Sequence, residues 1–112
     1  MKKSKFTKAT VKFILQEYKS KTIVDVYASN YAYFKSLGIS ASRITALISR
    51  LNWNFNYFIN KAYEEGKSKK AERLIEIANR VLPDKRTYRG KQDDNPEYDR
   101  IFDKLFAAVL AD

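Results

Sequence analysis

From Val11 to Val109, apolar residues return every three or four positions, and the pattern breaks around residues 19–22, Gly38, Gly66 and the stretch from Pro83 to Pro96. That spacing places the apolar side chains on one face of a helix, and no segment shows the strict alternation of a half-buried strand. Val11, Ile14, Leu15 and Tyr18 define a first helix from about Thr7 to Lys19, with Lys8, Lys12, Gln16 and Lys19 outward. Thr22 and Asp25 resemble a capping box for a second, whose stripe runs through Val24, Tyr27, Ala28, Tyr31 and Phe34 to Leu37 before Gly38 ends it. Ser40 or Ser42 caps a third, carrying Ile44, Leu47, Ile48, Leu51, Phe55, Phe58 and Ala62 up to Gly66. Asn52, Trp53 and Asn54 are where this one could be interrupted. A fourth spans about Ser68 to Leu82 with Ala71, Leu74, Ile75, Ala78 and Leu82 inward. Asn95-Pro96-Glu97 combines an N-cap, a proline at the first helical position and an acid in the first turn. It opens a last helix with Tyr98, Ile101, Phe102, Leu105, Phe106 and Val109 inside. The expected fold is a single small all-α bundle of about five helices.

A chain of 112 residues has room for one compact domain, and 45% hydrophobic residues suffice for its core. Without cysteine there is no disulfide or thiolate metal site, and without histidine there is no imidazole base, ligand or pH switch. Glu72 and Glu76 form an ordinary i, i+4 pair on a basic helix, and neither a phosphate-cradling glycine loop nor an activated nucleophile is present. The expectation is a protein with no catalytic residues, no metal and no cofactor. Lys3, Lys5, Lys8 and Lys12 punctuate the N-terminal stretch, so no signal peptide is expected, and no apolar run reaches membrane-spanning length. A cytoplasmic protein fits this reading. Richness in Lys, Asn, Ile, Tyr and Phe, all with AT-rich codons, points to a low-GC bacterium, its plasmid or its phage.

The formal charge of +9 calls for an anionic partner. It is unevenly spread: residues 1–92 carry +13 and residues 93–112 carry −4. Two parts follow from this division, a basic helical region and an acidic, apolar-faced C-terminal helix suited to packing or oligomerisation.

Within the basic part, Phe34-Lys-Ser-Leu-Gly-Ile-Ser-Ala-Ser-Arg-Ile-Thr-Ala-Leu-Ile-Ser-Arg-Leu51 resembles the turn and second helix of helix-turn-helix DNA-binding domains. Leu37, Gly38, Ile39 and Ser40 match the tight turn of that family, and Ile44 and Leu47 match the buried positions of its recognition helix. The resemblance covers about 18 residues and departs from the family at Phe34, where Ala is preferred. It implies a unit over about residues 23–51 whose exposed face, made by Ser40, Ala41, Ser42, Arg43, Thr45, Ala46, Ser49 and Arg50, enters the major groove. Arg43 and Arg50 would then read guanine edges or clamp phosphate, and Ser40, Ser42 and Thr45 would meet phosphate near a helix N-terminus.

Other cationic clusters suit backbone contacts. Lys2, Lys3, Lys5, Lys8 and Lys12 form a candidate arm; Lys69, Lys70 and Arg73 crowd the start of the fourth helix; Arg86, Tyr88 and Arg89 lie in the polar stretch before Asn95. Each also reads as a solvated surface. Tyr27, Tyr31, Tyr33, Trp53, Tyr57 and Phe58, at helical spacing, are expected in the core. The sequence thus predicts a non-enzymatic, homo-oligomeric double-stranded DNA-binding protein acting in transcription, replication or packaging. The alternative is a mobile-element protein that binds a host protein complex or RNA through its basic face.

Overall fold

A computed structural model describes residues 6–82 and 96–111 of the chain. It is an all-α bundle of six helices: α1 Lys8–Tyr18, α2 Ile23–Ser29, α3 Tyr31–Ser36, α4 Ala41–Glu64, α5 Ser68–Val81 and α6 Pro96–Leu110. Among the described residues there is no strand, and no helix is long and apolar enough to cross a membrane. The first turns of α1, α2 and α4 are closed as their sequences require. Thr7, Thr22 and Ser40 each accept a hydrogen bond from the backbone N–H three residues on, leaving one fewer orphan donor at each end.

The bundle is organised on α4, whose 24 residues reach about 36 Å at 1.5 Å per residue. Ile44, Leu47, Ile48, Leu51 and Phe55 bury one continuous stripe of it. Against that stripe pack α2, α5 and α6, while α1 closes the core from the other side of α2 and α6. The acidic last helix belongs to this same core through Phe102, Phe106 and Val109. Its rings interlock at right angles with Phe6 and Phe55, at centroid distances of 5.1 and 4.8 Å.

Two sequence expectations are corrected and one open point is decided. The helix expected from Thr22 to Leu37 is two helices meeting at Asn30, which leaves helical geometry at φ −128° and ψ 33°. The Asn30 amide donates to the Val26 carbonyl at 3.0 Å and to Glu17 Oε1 of α1 at 3.1 Å, so a side chain competes with the helical ladder and ties the break to a neighbour. The predicted stripe is lost with the change of axis, and Val24 is 73% exposed. In α4 the reverse holds: Asn52 to Asn54 does not interrupt the helix, because Asn54 is buried and its amide is satisfied by Asp103 Oδ1 of α6 at 3.0 Å. In α5, Ile77 occupies the core, whereas Ile75 is half-buried.

Candidate nucleic-acid interface

The corner between α3 and α4 is closed by a Schellman motif. Gly38 takes φ +69°, a left-handed angle that side chains with a Cβ adopt only at a cost. Its N–H donates to the Lys35 carbonyl at 3.1 Å, and the Ile39 N–H donates to the Phe34 carbonyl at 2.9 Å. The accompanying apolar contact of such motifs needs the residue after the glycine and the one five before it to be buried, and Ile39 and Phe34 both are. Phe34 takes the place where the resembled family prefers Ala. Its ring lies between Tyr27 at 6.1 Å, Phe13 at 6.1 Å and Tyr33 at 5.4 Å, filling an aromatic cluster where a methyl group would leave a void.

Ser40 then caps α4, accepting from the Arg43 N–H at 3.3 Å. With Ile44, Leu47, Ile48 and Leu51 inward, the helical period turns Ser42, Ser49 and Trp53 to the opposite face, while Ala46 is partly buried against the core. Ser40 and Ser42 are exposed; Ala41, Arg43, Thr45, Ala46, Ser49 and Arg50 are half-buried. The small side chains leave the N-terminal half of α4 with a low profile.

Thr45 and Arg50, both of the expected contact set, are engaged within the protein. The Thr45 hydroxyl donates to the Ala41 carbonyl of its own helix at 3.1 Å. Arg50 is gripped by α6: its Nε donates to Asp103 Oδ1 at 2.9 Å and its Nη2 to Asp103 Oδ2 at 3.1 Å. The guanidinium also lies 4.4 Å above the Trp53 ring. Hydrogen bonding from Arg50 holds the Asp103 carboxyl below its ordinary pKa, with a smaller contribution from Asn54, while partial burial opposes both. Sequence spacing could not show this fork, since the two partners lie 53 positions apart.

The remaining cations are not gathered on the α4 face. Lys8 and Lys12 are exposed on α1, and Lys12 lines a cleft of about 670 Å³ with Lys19 and Arg80 over Leu15, Val81 and Val109. Lys69 and Arg73 point outward from α5. Lys70 stands instead beside a second cleft, lined by α4, α5 and α6. Lys2, Lys3, Lys5, Arg86, Tyr88 and Arg89 lie outside the described residues.

The aromatic expectation is also corrected. Tyr27 packs against the core, whereas Tyr31, Tyr33, Trp53, Tyr57 and Phe58 are exposed. α3 is too short, at six residues, to cover its own tyrosines, and the second half of α4 turns its rings toward the cleft shared with α5 and α6. No cluster of three or more acidic side chains that could hold a metal occurs among the described residues. Comparison with protein-family models, curated proteins and solved structures finds no match for the chain.

Proposed function

We propose that this protein binds double-stranded DNA, with the α3–α4 corner forming a helix-turn-helix and the N-terminal half of α4 entering the major groove. The carrying observation is the corner itself: a left-handed Gly38, a buried Ile39 and a Ser40-capped helix whose outward face is small and hydroxylated. Such a face admits close approach, and the helix N-terminus favours phosphate through its dipole and first-turn N–H groups. Ser40 and Ser42 contact phosphate in this reading, and Arg43 reads a base edge or clamps the backbone. Arg50 takes part only when Asp103 releases it. Lys69 and Arg73 add sequence-independent attraction, with the N-terminal lysines and the basic stretch after Pro83 as further anchors. One such unit contacts few base pairs, so useful specificity calls for a homo-oligomer on repeated half-sites. Control of transcription, or DNA recognition in replication or packaging, is the corresponding role in the cytoplasm of a low-GC bacterium or of the cell hosting its phage or plasmid. Catalysis has no part in it.

A second reading, docking to a host protein complex, draws its support from the exposed rings on α4, since Trp, Tyr and Arg dominate the energetics of protein interfaces. A gel-shift titration of random duplex at about 50 mM and about 200 mM salt separates the two. DNA binding that weakens steeply with salt supports the first. Its absence at the lower salt overturns that reading, and a preference for single-stranded RNA replaces it with the RNA-binding alternative.

A further inference from the structure

The cleft between α4, α5 and α6 gathers exposed aromatic rings, Trp53, Tyr57 and Phe58, along one wall. It encloses about 550 Å³, within the range of small-molecule sites, and its lining is chiefly apolar. Its walls are flat rings held in fixed orientations. The Trp53 and Tyr57 rings stack at 5.2 Å with 14° between their planes, and Phe58 stacks on Phe106 at 5.6 Å and 9°. Arg50 over Trp53 and Lys61 over Tyr57, at 4.4 and 5.8 Å, brace the first pair. Leu74 and Leu110 line the cleft from α5 and α6.

The charged groups at the rim set the ligand's chemistry. Arg50, Lys70 and Asp103 are the ionic side chains lining the cleft. The Asp103 carboxylate is already neutralised by the Arg50 fork, which leaves Lys70 as the cation without a partner acid among the described residues. A second copy of a chain carrying +9 meets repulsion at this rim. Extent argues against a docked helix: the lining spans residues 50–58 of α4, which is about 12 Å of helix, or little more than two turns.

We infer that this cleft is a binding site for a small planar aromatic anion, its rings laid among Trp53, Phe58 and Phe106 and its carboxylate directed to Lys70. The cleft shares Arg50 with the residues assigned to DNA, but the ligand contacts inferred here, to Trp53, Phe58, Phe106 and Lys70, do not use it and stand independently of that assignment. Trp53 is the only tryptophan, so its indole N–H gives one assignable resonance as a reporter. The test titrates the 15N-labelled full chain with 2-naphthoate. Binding appears as a saturable shift of that resonance, weakened about fivefold by Lys70→Glu, as expected for an exposed ionic contact. Ala107→Phe, at an exposed lining position, abolishes the shift while the helical circular dichroism spectrum is retained. Neutral 2-naphthol binds several-fold more weakly than the carboxylate. An unmoved resonance at millimolar 2-naphthoate overturns the inference. So does unchanged binding in both variants, or equal affinity for 2-naphthol.

Discussion

Replacing Asp103 tests the tertiary contact that most affects how α4 can be used. The carboxylate accepts three hydrogen bonds, two from Arg50 and one from Asn54. The ion pair is solvent-screened, because the Asp103 side chain is 46% exposed, so its coupling is worth about 0.5 kcal/mol. Asn54 is different. It is 3% exposed, and loss of its acceptor strands a buried amide donor at about 1.5 kcal/mol. Alanine regains about 0.5 kcal/mol of helix propensity. Asp103→Ala should therefore cost about 1.5 kcal/mol, a fall in Tm of about 6 °C for a domain of this size. Asp103→Asn retains an oxygen for Asn54 and should cost only about 0.5 kcal/mol. Urea unfolding followed by Trp53 fluorescence and circular dichroism gives both values. Equal costs for the two variants would refute the assignment of most of the energy to Asn54, and an unchanged Asp103→Ala would refute the contact altogether. If the protein binds DNA as proposed, the same substitution frees Arg50 and steepens the salt dependence of binding.

The pH dependence has a definite sign. The folded pKa values of Asp103 and Glu17 are lowered, by hydrogen bonding from Arg50 and Lys21 respectively, so their stabilisation is complete above the unfolded carboxyl value near 4 and is lost as pH falls through the folded values. Acid titration of the wild type against Asp103→Asn should show the stability gap closing below about pH 4; a gap that widens there contradicts the sign. Gly66 holds φ +74° in a second Schellman turn with nothing within 4 Å of an added Cβ, so Gly66→Ala should cost about 1 kcal/mol from backbone strain alone. A stabilised variant in thermal unfolding would contradict this. Phe34→Ala should cost about 3 to 5 kcal/mol by opening a cavity in the aromatic cluster, whereas a near-neutral result would mean that the corner collapses as it does in domains with alanine there. If the protein binds DNA as proposed, Arg43→Ala should cost about 1 to 3 kcal/mol and relax sequence preference, and Lys69→Ala should lower affinity uniformly and reduce the salt slope by about 1. Identical behaviour of both variants across sequences counts against base readout by Arg43.

What the sequence determined was local. Thr7, Thr22 and Ser40 cap helices because their hydroxyls reach a backbone N–H three residues ahead. Gly38 and Gly66 end helices because a left-handed angle is strained for any residue with a Cβ. The periodic stripes of α1 and of α4 from Ile44 to Phe55 mark the core that those helices bury. Such features depend on neighbours one helical turn away and are therefore legible in order along the chain. Tertiary structure decided the rest. Asn30 breaks a helix and Asn54 sits inside one, although both are asparagines in helical patterns, because one amide reaches across to Glu17 of α1 while the other meets Asp103 of α6. In the sequence Arg50 reads as a candidate DNA contact, and only the approach of α6 puts a carboxylate against it. The rings of Trp53, Tyr57 and Phe58 carry helical spacing that reads as core, yet α5 and α6 leave a cleft where those rings stay exposed. Each outcome turns on a partner many residues away, and the period of a single helix carries no record of it.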